Sequence, residues 1–178
     1  QSLGRLDAAL DAYACAATLA PNVASTQYNM GVVLTQMGRF DEALTALDLA
    51  LTLDPEHAKA CASKGYILRM QGRADESAAL YGRAVSLSPG DPAALGDLGM
   101  ALRDAGRLME AASSFERAIA ADPDYAEATS NFADTLLRLD QPRDSVAVCD
   151  AYLARHPYHA SVLAAKSVAL NECGDLAA

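Results

Sequence analysis

The sequence predicts an all-α fold, a solenoid of antiparallel helix hairpins, and three observations support this prediction. Five prolines recur every 34 residues along the 178-residue chain, and glycines keep the same interval with one exception. Between these breaker residues, apolar side chains return at the spacing of one helical face. Alanine dominates the apolar fraction, which suits closely packed helices better than β-sheets. The prolines are Pro21, Pro55, Pro89, Pro123 and Pro157, and the glycines are Gly4, Gly38, Gly72, Gly106 and Gly174.

The segment from residue 24 to 57 shows why each period predicts a hairpin. Apolar residues from Met30 to Met37 follow helical spacing and predict a first helix. Gly38 ends this helix because glycine readily adopts the left-handed conformation at a helix C-terminus. Asp41 then lies in the first turn of a second helix, where the helix dipole favours a carboxylate. Pro55 ends the hairpin because proline cannot continue a helix.

The same pattern predicts the remaining elements in order. Residues 58–91, 92–125 and 126–159 each repeat the hairpin. Residues 1–23 match only the second half of a repeat, and residues 160–178 match only a first helix. The hairpin at 126–159 diverges, since Asp140 and Pro142 replace the usual glycine pattern, and a different turn is expected there. Because residues 160–178 resemble an internal helix more than a polar cap, we expect the chain to be part of a longer protein.

Small residues recur inside the hairpins and carry a family resemblance. Glycine or alanine recurs in each first helix, and a small, large, small pattern recurs in each second helix. The small residues of the first helices are Gly31, Gly65, Gly99 and Ala133; the large residues that follow are Leu47, Tyr81 and Phe115, with Cys149 at the fourth place. With its 34-residue period, the chain resembles the tetratricopeptide repeat family along nearly its whole length. The resemblance implies a right-handed α-solenoid superhelix and a protein-binding scaffold.

The resemblance also implies a binding face, because first helices of such hairpins line a concave groove. The candidate peptide-binding residues are Tyr28, Asn29, Val32, Lys59, Ser63, Tyr66, Arg69, Asp97, Met100, Arg103, Asn131 and Asp134. Asn29, Ser63, Asp97 and Asn131 form one row at 34-residue steps. In some family members an asparagine row holds a peptide backbone, since an amide both donates and accepts hydrogen bonds. Here the alternative is that these side chains only face water.

The net charge and the distribution of charged residues indicate which kinds of partner to expect. The net charge is −9 and the pI about 4.6, with no basic cluster, so we expect no nucleic-acid partner. Apolar runs are too short to cross a bilayer, so we expect no membrane insertion. The first helices at 24–37 and 58–71 carry Lys59, Lys64 and Arg69 without a carboxylate, which favours an acidic peptide there.

No pattern in the sequence indicates catalysis, a cofactor or a metal. The nucleotide, zinc and hydrolase motifs are missing, and His156 and His159 flank a helix-ending proline without further ligands. The recurring Asp and Glu pairs are interpreted as helix-start residues. Four unevenly spaced cysteines indicate buried thiols, which favours a cytoplasmic location.

Two alternatives to a simple scaffold remain. The repeats could recruit a substrate or dimerise a larger bacterial enzyme, such as a glycosyltransferase, a 2-oxoglutarate oxygenase or a sulfotransferase, whose catalytic domain lies outside this chain. Uncapped, alanine-rich ends could also self-associate.

Overall fold

The computed structural model describes residues 2–174, and within that range every regular element is an α-helix. The predicted all-α class is therefore confirmed. Gln1 and the last four residues, which belong to the two predicted half-repeats, lie outside the described range. The helices run as α1 (Ser2–Leu19), α2 (Ala24–Gln36), α3 (Phe40–Leu53), α4 (Ala58–Met70), α5 (Ala74–Leu87), α6 (Pro92–Asp104), α7 (Leu108–Ala121), α8 (Ala126–Arg138), α9 (Pro142–Leu153) and α10 (Ala160–Glu172).

The chain forms two compact units. The N-terminal unit, Gln1–Leu87, contains α1 to α5, and the C-terminal unit, Ser88–Ala178, contains α6 to α10. Even-numbered helices are called first helices below, and odd-numbered helices second helices. In the N-terminal unit α2 packs on α1, α3 and α4, and in the C-terminal unit α8 packs on α6, α7, α9 and α10. The boundaries of individual repeats stay a prediction.

In α2, α4 and α6, the predicted small residue lies where the first helix approaches its second helix. A Cβ atom added to Gly31 would lie 2.7 Å from Cγ of Leu47, and one added to Gly99 would lie 2.6 Å from Cε1 of Phe115. No Cβ fits at such distances, so glycine allows the large side chain to enter the interface. In the divergent hairpin, Ala133 instead packs in a cluster with the smaller Cys149.

The turns inside the hairpins share one backbone geometry. Gly38, Gly72 and Gly106 adopt φ angles of 72°, 75° and 76°. In each turn, the residue that follows the glycine donates its amide to a carbonyl of the preceding helix; for example, the amide of Arg39 donates to the carbonyl of Leu34 at 2.9 Å. This hydrogen bond satisfies one of the carbonyl groups that a helix end leaves open.

The prediction of a different turn in the fourth hairpin is wrong. Asp140 takes the glycine position with a φ of 60°, and the amide of Gln141 donates to the carbonyl of Leu136 at 2.9 Å, as in the other turns. Aspartate tolerates the left-handed region better than most residues, which explains why the turn survives. The divergence lies at the C-terminal end of α9, which has 12 residues, whereas α3 has 14.

Second helices begin with a recurrent ion pair. Arg39, Arg73 and Arg107 each hold the glutamate three residues later through two hydrogen bonds, with donor–acceptor distances of 2.6–2.8 Å. These three pairs are called the Arg–Glu clamps, and their glutamates are Glu42, Glu76 and Glu110. The glutamates occupy the first helical turn, where the dipole also favours a carboxylate. The helix-start interpretation of the acidic residues therefore accounts for Glu42 and Glu76.

Candidate functional site

Seven of the predicted groove residues lie on two first helices of the N-terminal unit. α2 carries Tyr28, Asn29 and Val32, and α4 carries Lys59, Ser63, Tyr66 and Arg69. The two helices contact each other, so these side chains belong to adjacent rows. The positions recur because residues three or four apart share a helix face and because 34 residues separate equivalent positions of the two hairpins.

The row formed by the predicted residues of α2 and α4 leaves polar and aromatic groups available to a partner. Within residues 2–174, the side chains of Asn29, Lys59 and Ser63 make no hydrogen bond or ion pair. Tyr66 is 41% exposed, so part of its ring is open to a partner. Tyr28 stacks on the His57 ring, with 4.8 Å between ring centroids, and this contact orients the tyrosine. The face therefore combines two aromatic rings with unpaired amide, hydroxyl and ammonium groups.

His57 is held in place by the helix that follows it. Its Nδ1 accepts a hydrogen bond from the amide of Ala60 at 3.2 Å and caps α4. The Nδ1 atom is therefore the unprotonated nitrogen in this arrangement. A histidine that caps one helix and stacks on a tyrosine of the preceding first helix joins α2 and α4 at one end of the row.

Lys64 does not contribute to the predicted basic groove. Its ammonium group donates to Asp48 Oδ1 on α3, beside a cleft of about 400 Å³ between α3, α4 and α5. The lysine thus faces the second helices. The exposed Lys59 of α4 remains a candidate positive charge for the groove, and Arg69 is half-buried.

The C-terminal unit carries the other five predicted residues. Asp97, Met100 and Arg103 lie on α6, and Asn131 and Asp134 lie on α8. All five are half-buried. α6 and α8 therefore carry predicted groove residues in this unit, as α2 and α4 do in the N-terminal unit.

In this unit the candidate side chains bind one another. Arg103 Nη1 donates to Asn131 Oδ1 at 2.9 Å and to Asp134 Oδ2 at 3.3 Å. Arg138, which was not predicted, places its Nε 3.1 Å from the same Asp134 oxygen. Because the Asn131 carbonyl oxygen is already an acceptor for Arg103, this amide has less capacity for a peptide than Asn29 has.

Sequence reasoning missed a set of contacts on the second helices. Lys64 pairs with Asp48, and Lys166 pairs with Asp150 at 2.8 Å. Each lysine follows its aspartate by 16 residues, and the second pair lies 102 residues, or three periods, after the first. That spacing was visible in the sequence and could have identified the pairs.

The prediction of buried thiols is confirmed for Cys61 and Cys149 and is wrong for Cys15, which is exposed, while Cys173 is half-buried. Burial raises the pKa of the Cys149 thiol to about 11, and burial also raises the pKa of Cys61. A thiol with a raised pKa is protonated at neutral pH and is a poor nucleophile. His156 Nε2 donates to Asp124 Oδ1 at 2.9 Å, and both His156 and His159 pack on the Tyr152 ring. These histidines serve the turn after α9.

None of the helices within residues 2–174 is long and apolar enough to cross a membrane. Among the same residues, no group of three or more histidine, cysteine or acidic side chains converges as metal ligands do.

Comparisons with known proteins find one matching family model and several similar solved structures. A protein-family model described as tetratricopeptide repeat matches residues 28–92 and 97–160. The chain is similar to the solved structure of YrrB, described as a TPR protein with an unusual peptide-binding site, with 27% identity, a TM-score of 0.79, and coverage of 93% of this chain and 86% of that one. It is also similar in fold to MamA residues 41-end from Desulfovibrio magneticus RS-1, with 22% identity, a TM-score of 0.80 and 88% of each chain covered. No curated protein matches the sequence.

Proposed function

Because the chain belongs to the tetratricopeptide repeat family, we propose that it is a protein-interaction scaffold that binds an extended peptide segment of a partner. The binding surface in this proposal is the N-terminal row, defined as Tyr28, Asn29 and Val32 on α2 with Lys59, Ser63 and Tyr66 on α4. The observation that carries the proposal is the set of unpaired polar groups on this row, beside two aromatic rings.

The chemistry of the row fits a peptide backbone. Asn29 offers an amide donor and an amide acceptor, and Ser63 offers a hydroxyl group that can do both. An extended peptide presents one N–H and one C=O per residue, so these side chains can hold it whatever its sequence. Tyr66 adds an exposed ring on which a partner side chain can pack, since tyrosine supplies contact area at a low entropic cost.

Charge favours an acidic peptide on this row. Neither α2 nor α4 contains a carboxylate, whereas α4 contains Lys59 and Arg69. An acidic side chain or a C-terminal carboxylate of the peptide can pair with the exposed Lys59. Since Lys64 is bound to Asp48, this preference rests on fewer positive charges than the sequence predicted.

YrrB, a TPR protein with an unusual peptide-binding site, supports a peptide ligand for a chain of this fold. The C-terminal row on α6 and α8 is the weaker candidate because Arg103, Asn131 and Asp134 already bind one another. If the repeats belong to a larger enzyme, the same N-terminal row would recruit its substrate protein. A cytoplasmic location, expected from the cysteine pattern, stays part of the proposal.

A peptide array with a matched tyrosine control tests the proposal. The full chain, its Tyr66→Ala variant and its Tyr158→Ala variant are applied to arrayed acidic and neutral extended peptides. Tyr158 is 93% exposed and lies in the turn before α10, so it controls for the loss of an exposed tyrosine. We expect Tyr66→Ala to lose binding to the peptides that wild type selects, while Tyr158→Ala retains it. Equal binding by all three chains would overturn the assignment of the row.

A further inference from the structure

An apolar cleft lies among the second helices of the C-terminal unit, away from the candidate peptide rows. This cleft, called the α7–α9 cleft, has a volume of about 240 Å³. Glu116 and Ile119 of α7, Phe132 of α8, and Val148, Ala151 and Tyr152 of α9 contribute to its walls. Phe132 lies about half a turn from Asp134 on α8, so the cleft and the row of Asn131 and Asp134 occupy different faces of that helix.

Two equivalent positions in the same chain carry an ion pair that the α7–α9 cleft lacks. Lys64 of α4 reaches Asp48 of the preceding second helix, and Lys166 of α10 reaches Asp150 in the same way at 2.8 Å. Both lysine side chains are largely covered: Lys64 is 24% exposed and Lys166 is 31% exposed. Each lysine therefore lays its methylene stem along the helices and places its ammonium group on a carboxylate.

The α7–α9 cleft keeps the acid and lacks the lysine. Glu116 lies 68 residues, or two periods, after Asp48, and Phe132 lies 68 residues after Lys64. Within residues 2–174, the side chain of the exposed Glu116 makes no ion pair or hydrogen bond. Phe132 is only half-buried. The site thus retains a carboxylate and apolar walls, but the cation that completes the equivalent sites is missing.

The nearby arginine does not supply that cation. Arg155, at the far end of the cleft, donates to the carbonyl of Pro123 and lies 3.6 Å from Asp124 Oδ1. Asp124 is also hydrogen-bonded to His156 at 2.9 Å. This set of contacts holds the arginine at the turn between α7 and α8, and Glu116 is not part of it.

We propose that the α7–α9 cleft binds a lysine side chain from a partner protein, with the lysine stem against Phe132, Val148 and Tyr152 and its ammonium group on Glu116. The partner segment thereby supplies the contact that Lys64 and Lys166 supply within the chain. Lysine fits better than arginine because its unbranched stem and compact ammonium group match the residue that pairs with the carboxylate at the equivalent positions. A net charge of −9 also favours approach of a basic segment.

This surface is independent of the peptide row on α2 and α4. A partner that used both would present an acidic extended segment to the N-terminal unit and a lysine to the C-terminal unit. Loss of either interaction leaves the other testable, because all residues of the α7–α9 cleft lie in the C-terminal unit.

The direct test is an NMR titration of the full chain with Nα-acetyl-lysine N-methylamide. The matched probe is Nα-acetyl-norleucine N-methylamide, which has the same stem without the ammonium group. We expect the lysine probe to shift amide signals of α7, α8 and α9 around Glu116, Phe132 and Val148. The norleucine probe should bind the same place about two- to fivefold more weakly, the range of a partly exposed ion pair.

Two variants separate specific binding from general attraction to an acidic protein. Glu116→Gln should reduce the affinity for the lysine probe to that for norleucine, whereas Glu127→Gln, an exposed change at the start of α8, should leave it unchanged. Phe132→Lys copies the residue found at 64 and 166, so the internal lysine should occupy Glu116 and abolish probe binding. Phe132→Leu keeps an apolar wall and should retain binding, which shows whether a loss reflects misfolding.

Three results would overturn the proposal. Equal affinity for the lysine and norleucine probes would remove the role of Glu116. Shifts that persist unchanged in Phe132→Lys would place binding elsewhere. A concentration-dependent dimer that Glu116→Gln dissociates in sedimentation would identify a second copy of this chain, and not a separate partner, as the occupant.

Discussion

At the residue scale, the fold depends on glycines that make room for one large side chain. Gly31 faces Leu47, and Gly99 faces Phe115, and both large residues are fully buried. The sequence pattern predicted these contacts because a small residue and a large residue recur together at fixed positions. It could not predict that Ser145 Oγ donates to the carbonyl of Ala133 at 2.9 Å, since that bond depends on how closely α8 and α9 approach.

We predict opposite effects for the same substitution at two helical glycines. Gly99→Ala places a methyl group 2.6 Å from a Phe115 ring atom that has no free space, and should cost about 1–3 kcal/mol of unfolding free energy. Gly82→Ala meets no atom within 4 Å on α5 and should gain up to about 1 kcal/mol, because alanine is the better helix former. Urea unfolding measures both. Destabilisation of similar size at the two sites would contradict the packing account.

The Arg–Glu clamps at the start of three second helices make a contribution to stability that depends on pH. The hydrogen bonds from arginine are the main reason that the pKa values of Glu42, Glu76 and Glu110 fall below their ordinary value of 4.5. A carboxylate with a lowered folded pKa contributes stability above its unfolded pKa. That contribution is lost as the pH falls through the folded pKa and the carboxylate becomes protonated.

We therefore predict a pH-dependent loss for a triple variant with glutamine at Glu42, Glu76 and Glu110. Its melting temperature should lie below that of wild type at pH 7, and the difference should shrink as the pH falls below about 4.5. The control replaces Glu56, Glu127 and Glu172, which have no arginine partner within the described residues. Circular dichroism against pH measures both curves. A difference that persists unchanged to about pH 3 would show that the clamps do not act through charge.

The sequence pattern predicted the helices but not all of the contacts between them. Helix positions followed from breaker residues and apolar spacing, because local preference and packing agree in a repeat. The prediction that Lys64 adds positive charge to the groove was wrong, since a lysine can reach toward either neighbouring helix and the position of Asp48 on α3 decides the direction. The hydrogen bonds among Arg103, Asn131 and Asp134 were missed for a similar reason: they join α6 to α8 across 28 and 31 residues of chain.

At the scale of the whole molecule, two units with the same hairpin pattern differ in what their first helices leave unpaired. In the N-terminal unit Asn29 and Ser63 have no polar partner among residues 2–174. In the C-terminal unit the equivalent Asn131 accepts from Arg103. A repeat protein keeps its packing residues constant and varies its exposed faces, so function is expected where the faces differ. The central claim is that the N-terminal row holds the backbone of a peptide.

Calorimetry with one amide removed from each unit tests this claim most directly. The probe is an acidic extended peptide selected on the wild-type chain from a random library, and the variants are Asn29→Ala and Asn131→Ala. We predict that Asn29→Ala weakens the affinity about tenfold, the effect expected when about 1.4 kcal/mol of hydrogen bonding is lost. Asn131→Ala should change it by less than about twofold. Equal losses in both variants, or a loss confined to Asn131→Ala, would contradict the account.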